Sequence, residues 1–397
     1  MRLISPYSLF SRLLRQGAFW VFVGLIILLL TILLRSPILH SPYASRAAEM
    51  IIPAKESRLF YLQSSEATSE LVQGPISDRE VLTEGSEKVS LTKLSMSSPA
   101  CETSGLFSSP NGKWIIAQGN CEAGSYIQAV DAQTSQVFNP MSNSGHSLFL
   151  GWTPFSELIL RVDQGHRFAI FRVNPATGET QQLPVPEMVY HVAFSPDGLH
   201  IIYSLTWGLG YGSQTWIADI DGQNAHLVLD EPDHIIAFAN WSPTGDKIAY
   251  LRWVDTNIPF TVGELWVMSA HGQNPTMLST ADAGHGYAPA WSPDGSRIAF
   301  VRRENGEDVL ADQNAARLQS NIFLADITTG TVSAITSFKG ALTEAPVWSP
   351  DGEFISFNST GGGTMDIWVY EVQNNDLLQI TQGINAWFPI WLPEESE

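Results

Sequence analysis

Past residue 57 the apolar residues fall in short runs broken by Gly, Pro, Asn, Asp and Ser, and no stretch repeats at helical spacing. The runs predict strands and the breaks predict turns, so the chain is all-β from there to its end. Ahead of that point the pattern changes: residues 18–34, AFWVFVGLIILLLTILL, are 17 residues with no charge and no polar face, and Arg35 follows at once. A run of that length spans a bilayer as one helix. A cleaved signal peptide and an uncleaved anchor both suit the basic Arg2, Arg12 and Arg15, but a signal peptide has a small-residue cleavage site directly after its apolar stretch. Here Arg35-Ser36-Pro37 stands in that place, which favours the anchor, with the N-terminus cytoplasmic and the remainder outside. The expected organisation is a cytoplasmic basic segment (1–17), a transmembrane signal anchor (18–34), a linker (35–57) and one β domain (58–397).

The strand pattern is itself repeated. WSPDGSRIAF (291–300) has near copies in WSPTGDKIAY (241–250), WSPDGEFISF (348–357) and FSPDGLHIIY (194–203). Aligned on the motif proline, the units fall at Pro110, Pro154, Pro196, Pro243, Pro293, Pro350 and Pro393, spaced by 44, 42, 47, 50, 57 and 43 residues. That period is close to one four-stranded blade of a β-propeller. Ser-Pro-Asp-Gly is turn chemistry: Pro presets φ, Asp bonds back to its own backbone, and Gly takes the left-handed position. The apolar run after it predicts a second strand, and segments such as DIWVYEVQNNDLLQIT (366–381) predict a third and fourth strand joined by a hairpin.

The series Trp/Phe-Ser-Pro-Asp-Gly-x-x-Ile-Ala-Phe, then Asp-Ile-Trp-Val and Leu/Ile-Thr, resembles the propeller repeat of the TolB-like family, which is similar to the propeller of the prolyl oligopeptidase family. The resemblance covers about residues 100–397 and implies a propeller without the hydrolase domain that carries the peptidases' triad. The first two copies depart from it, with Ser108 in the aromatic position and no Asp-Gly after Pro154. Six complete units begin near 107, 151, 193, 240, 290 and 347, and NAWFPIWLP (385–393) supplies one more first strand. RLFYLQ (58–63), ELVQG (70–74) and REVLT (79–83) have the content of its three partners, so the expected closure is a seventh blade of one C-terminal and three N-terminal strands. Residues 84–104 are then a long loop, and six blades is the alternative.

Composition narrows the partners. The chain has 21 basic and 40 acidic residues, and four of the basic ones precede residue 36 with no acid among them, leaving 17 against 40, a net of −23. Such a surface repels nucleic acid. Cys101 and Cys121 are too few for a disulfide scaffold or structural zinc, but Cys101 lies just before a first strand and Cys121 just after the adjacent second strand, where one bridge is geometrically sensible.

In a four-stranded blade the first-to-second and third-to-fourth hairpins share one face, so the long segments 206–214, 252–263 and 302–320 share the other. Binding sites concentrate in such loops. His146 and His285 lie six residues before the motif aromatic, His234 seven before and His191 three before, all near entries to first strands at the axial mouth. The resemblance implies that some seven-bladed relatives are lyases acting on acidic sugars through a metal held by axial histidines, whereas no short metal-ligand motif is present here. Trp207, Tyr211, Trp253, Tyr287, Trp387 and Phe388 lie on or near the same face, where they form either a sugar or peptide platform or blade packing. No G-x-S-x-G elbow, phosphate loop or dinucleotide fingerprint occurs. The expected function is a membrane-anchored extracytoplasmic module binding a protein, peptide or glycan, needing no cofactor. The alternative is a metal-dependent polysaccharide lyase with axial histidines.

Overall fold

In most copies of the repeated motif, one serine organises the turn. The hydroxyl of Ser292 donates to Asp294 at 2.5 Å and accepts the N–H of Arg297 at 2.9 Å, while Asp294 accepts the N–H of Ser296 at 3.0 Å. Ser195, Ser349 and Ser109 make the same pair of bonds, to Asp197, Asp351 and Asn111 and from His200, Phe354 and Trp114. Hairpins locked in this way set the register of the strands that flank them.

The computed structural model describes residues 57–64, 69–74, 89–93, 102–121, 124–140, 146–164, 167–283 and 287–393. The apolar run at 18–34, the segment 79–83, Cys101 and His285 lie outside the described residues. Among the described residues there is no α-helix, and no helix long and apolar enough to cross a membrane.

The described chain begins with β1 (Ser57–Ser64), β2 (Ser69–Gly74) and β3 (Val89–Lys93). Blade 1 is β4 (Glu102–Ser108), β5 (Trp114–Cys121), β6 (Gly124–Asp131) and β7 (Val137–Phe138). Blade 2 is β8 (Ser147–Trp152), β9 (Leu158–Asp163), β10 (Phe168–Val173) and β11 (Thr180–Gln182). Blade 3 is β12 (Val189–Phe194), β13 (His200–Leu205), β14 (Ser213–Asp219) and β15 (His226–Glu231). Blade 4 is β16 (His234–Trp241), β17 (Lys247–Val254), β18 (Val262–Ser269) and β19 (Thr276–Asp282). Blade 5 is β20 (Ala290–Trp291), β21 (Arg297–Arg303), β22 (Ser320–Asp326) and β23 (Val332–Ala334). Blade 6 is β24 (Thr343–Trp348), β25 (Phe354–Ser359), β26 (Asp366–Glu371) and β27 (Asp376–Gln379), and β28 (Ala386–Pro393) ends the described chain.

All seven sheets are antiparallel and four-stranded, and the seventh has the order β28-β1-β2-β3, with Ser57 opposite Pro393 and Glu70 opposite Lys93. The one-plus-three closure is therefore as expected, except in its last strand. Val89–Lys93 takes that position in place of residues 79–83, and residues 84–104 are not one loop. Val89–Lys93 alternates apolar and polar residues while 79–83 does not, and the expectation of a short hairpin connection favours the nearer segment.

The core is a ring of seven seams. Leu59 and Tyr61 of β1 pack with Phe354, Ile367 and Val369 of blade 6, whereas Phe60 and Leu62 point the other way and pack with Leu106, Ile115 and Val130 of blade 1. Alternate residues of a single strand thus serve two different neighbours, as the period of a strand requires. Blades 5 and 6 meet through Val301 and Ile322 against Trp348, Ile355 and Phe357. The motif tryptophans fasten these seams: the Trp348 indole donates to the Ala290 carbonyl at 3.0 Å, and Trp291 to Asn240 at 3.4 Å, each in the preceding blade. The Leu/Ile-Thr ending of the fourth strand has an equally local cause. The Thr381 hydroxyl accepts the N–H of Ile367 and donates to the buried Asp366, and Thr336 does the same for Ile322 and Asn321. Each bond is of the kind that contributes about 1 kcal/mol.

The hairpin tips also form a ring. Gly245 lies on Pro196, Gly352 on Pro293 and Gly112 on Pro393, each the motif proline of the blade before, whereas Gly198 lies on Phe155 and Gly295 on Thr244 of the preceding hairpin. Where blade 2 lacks Asp-Gly, Ser156 occupies the left-handed position at φ 61° and its N–H still bonds to the Thr153 carbonyl.

Candidate functional site

On the opposite rim, three second-to-third-strand connections of blades 3, 4 and 5 are bonded into one wall: 206–212, 255–261 and 304–319. Thr206 donates to the Gly212 carbonyl at 2.6 Å and folds the first of them back on itself. The amides of Gly210 and Gly212 then donate to the Asp255 carboxylate of the second at 2.7 and 2.8 Å. Gly212 has φ 64° and faces the Glu231 carbonyl so closely that no side chain fits. Loop 255–261 is fixed to 304–319 by Arg303, whose side chain is only 1% exposed. Its guanidinium donates to the Phe260 carbonyl at 2.6 Å and pairs with Asp312 at 2.9 Å, and Phe260 packs with Ala311 and Leu318 in a small core of its own.

This wall presents apolar side chains to solvent. Trp207 is 47% exposed, Val254 54%, Leu310 61% and Val309 74%, with Leu209, Tyr211 and Ile258 between them. Rigid loops carrying exposed Val, Leu, Ile and Trp are unusual on a surface that otherwise has a large excess of acid. The cations nearby are already matched. Arg252 lies between Glu231 and Glu264 at 3.1 and 3.0 Å, and these carboxylates hold its pKa above the ordinary value in spite of burial. Arg317 pairs with Asp308 at 3.0 Å. Asp230, Asp233 and Glu307 remain exposed.

Where the wall approaches blade 2 there is a cavity of about 350 Å³, lined by Pro186, Met188, Tyr203, Leu205, Trp207, Gln214 and Trp216. Its walls are extensions of the seam between blades 2 and 3, where Met188 and Trp216 lie against Tyr203 and Leu205.

The residues singled out in the sequence are dispersed. Tyr211 is on the wall, while Trp253 is half-buried in the seam of blades 4 and 5. Tyr287 donates to the buried Glu344 at 3.1 Å, and burial, then the Glu344 charge, pushes its pKa well up. His191 sits on an innermost strand with Nε2 on the Ala239 carbonyl at 3.1 Å and its ring against Phe238, and burial holds its pKa down at about 4. His234 Nδ1 lies 3.2 Å from Arg252 and 3.7 Å from Glu231. His146 is exposed at the entry to blade 2. Among the described residues no group of three or more His, Cys, Asp or Glu is placed to hold a metal ion. Trp387 and Phe388 pack against the seam of blades 7 and 1, the blade-packing alternative of the two. Cys121 is disulfide-bonded, and Cys101 is the only other cysteine of the sequence.

Sequence reasoning missed Ile258, Val309 and Leu310, together with most of the cavity wall. Isolated apolar residues in a polar loop give no periodic signal, and whether they are exposed depends on Arg303 and Phe260 behind them.

No family model matches the chain. An uncharacterised protein of Agrobacterium fabrum is 25% identical over 208 residues, which is 51% of this chain and 62% of that protein. The Tol-Pal system protein TolB of Alcanivorax borkumensis is 32% identical over 123 residues, 27% of this chain and 26% of that one. The matched stretches span less than two thirds of either relative. Among solved structures, a prolyl endopeptidase superposes with a TM-score of 0.58 at 11% identity, covering 85% of this chain and 50% of that one. An oligogalacturonate lyase in complex with manganese superposes with a TM-score of 0.54 at 14% identity, covering 87% and 99%. At these identities the likeness concerns the fold alone.

Proposed function

We propose that this chain, a TolB-like seven-bladed β-propeller, is a tethered extracytoplasmic module that binds a protein partner through the wall of loops on blades 3 to 5. The observation that carries the reading is the bonded, apolar wall itself. Three connections of unrelated sequence are fixed to one another by Asp255 and Arg303, and they expose large apolar side chains that a free surface would not retain without use. The name of the TolB relative, a Tol-Pal system protein, agrees with a role in an assembly of proteins.

The tether belongs to the same proposal: an anchor at 18–34, a linker at 35–57 and the propeller at 58–397. Ser57 pairs with Pro393 on the rim that carries the Ser-Pro-Asp-Gly hairpins. A linker from the bilayer would therefore enter the propeller on the hairpin rim, opposite the loop wall.

A photo-crosslinking amino acid tests this in the full chain in its own membranes. Placed at Leu310 or Leu209, it is expected to capture a discrete protein adduct; placed at Leu199 or Phe155, exposed apolar positions on the hairpin rim, it is expected to capture none. Equal adducts from both rims, or none from the wall, would refute the proposal.

A further inference from the structure

Resting on the loop-wall reading, we infer that the cavity between blades 2 and 3 is the anchor pocket of that surface, receiving one large apolar side chain from a partner segment that carries lysine or arginine beside it. The walls specify the anchor. Tyr203, Leu205, Trp216 and Met188 present mainly apolar surface, and Gln214, the one amide side chain among the walls, has both ends engaged. Its amide nitrogen donates to Asp230 at 3.1 Å and its oxygen accepts from the Trp216 indole at 3.3 Å. A polar guest would lose its hydration there and find no free partner in Gln214, whereas an apolar side chain between aromatic walls is the usual anchor of a protein interface. A volume of about 350 Å³ is at the lower end for small-ligand pockets, and it suits one large side chain.

The rim specifies the neighbours of that anchor. Asp230, the partner of Gln214, is exposed beside the pocket, and Asp233 follows it. The cations within reach are occupied: Arg252 by Glu231 and Glu264, and Arg167 by Glu187, which adjoins Pro186. The pocket therefore opens under a negative potential, which attracts basic flanks and repels acidic ones. Trp207 connects the two features, since it both lines the cavity and is half exposed on the wall.

The test uses fluorescent peptides titrated against the purified full chain by anisotropy. The probe is Gly-Lys-Lys-Trp-Lys-Gly, and the controls replace its Trp by Ala or its three Lys by Glu. The probe is expected to bind about tenfold or more tightly than either control, and Trp207→Ala to weaken it by about tenfold. Asp230→Asn is expected to weaken it by about threefold and to flatten its dependence on salt. Leu205→Trp, which fills the cavity from its wall, provides a second variant, with thermal unfolding confirming that each variant folds. Equal binding of the three peptides, or probe affinity unmoved by Trp207→Ala and Leu205→Trp, overturns the inference. Crosslinks from the wall that persist while the peptides fail remove the pocket and leave the docking reading standing. Selective peptide binding with no crosslink from the wall does the reverse.

Discussion

The two rims of this propeller solve the same problem, joining adjacent strands, by opposite means. On the hairpin rim a serine-proline-glycine turn recurs in most blades, and Gly112, Gly245 and Gly352 each rest on the motif proline of the blade before. On the loop rim the connections of blades 3, 4 and 5 share no sequence, that of blade 5 is much the longest, and each is fixed by bonds found only there, such as Gly210 and Gly212 to Asp255, or Arg303 to Phe260. Repetition suits a rim whose task is to close a ring; individuality suits a rim that must recognise something. The comparison teaches that local turn chemistry carries the fold here, while the candidate site depends on single long-range contacts.

The largest effect is expected on the loop rim. Arg303→Ala removes a guanidinium that is 1% exposed and leaves Asp312 without its cation, a change of the kind that costs about 3–5 kcal/mol. Hydrogen exchange should rise in 304–319 and 255–261 while the hairpin tips stay protected; a uniform rise over all blades would show that the rims are not independent. Next comes the closing contact of the ring. Gly112 has φ 68°, and a Cβ there would stand 2.6 Å from Pro393, so Gly112→Ala is expected to cost about 2–4 kcal/mol from backbone strain and overpacking together. Gly330 has φ 70° with open space around it, and Gly330→Ala should cost only about 1–2 kcal/mol. Equal losses in denaturant unfolding would mean that the glycine-on-proline contact contributes nothing to closure.

The same contrast explains what could be read in the chain. The blade period and the hairpins follow from residues adjacent in sequence, even in blade 2, where Ser156 takes the place of glycine, and the one-plus-three closure follows from counting the strands they leave over. Local pattern fails at residues 79–83, because the pairing partner of β2 lies beyond a connection longer than a hairpin usually needs. The histidines show a different dependence. Their positions near the entries to first strands suggest convergence, while the Ala239 carbonyl holds His191 and Arg252 lies against His234. The Ala239 carbonyl and the Arg252 guanidinium come from bulged or neighbouring strands that no local pattern displays. Tyr211 is found on the wall because long aromatic loops are visible in sequence, whereas Val309 and Leu310 become meaningful only once Arg303 and Phe260 have been seen to hold their loop outward.

A smaller effect probes the repeat from within a blade. Thr381→Val removes the hydroxyl that serves both the Ile367 amide and Asp366, leaving two buried groups short of a partner, and is expected to cost about 1–3 kcal/mol. The equivalent Thr336→Val should match it, since Ile322 and Asn321 stand in the same relation. A large difference between the two in urea unfolding would show that the blades are not equivalent in energy although they are in pattern.

The smallest effect is a matter of pH and belongs to the hairpin rim. The Ser292 hydroxyl, then the Ser296 amide, stabilises the charged form of Asp294 and lowers its pKa from 3.8 to about 2, and Asp197 and Asp246 are lowered by the same kind of bond. A carboxylate whose pKa is lower in the folded than in the unfolded chain adds stability above the unfolded value, and that stability fades as the pH falls from about 4 towards 2. Because these carboxylates are exposed, solvent screening keeps the contribution of each below about 1 kcal/mol. Asp294→Asn keeps a turn-forming side chain but does not titrate, so its deficit relative to the parent should be present at pH 7 and vanish near pH 2. His191, with a folded pKa of about 4 against 6.5 for the ordinary side chain, loses its contribution in a higher window, as the pH falls from about 6.5 to about 4. Unfolding midpoints measured at pH 7, 4 and 2 therefore separate the two: a deficit of Asp294→Asn that closes between pH 7 and pH 4 would place the titrating group elsewhere than in the turn.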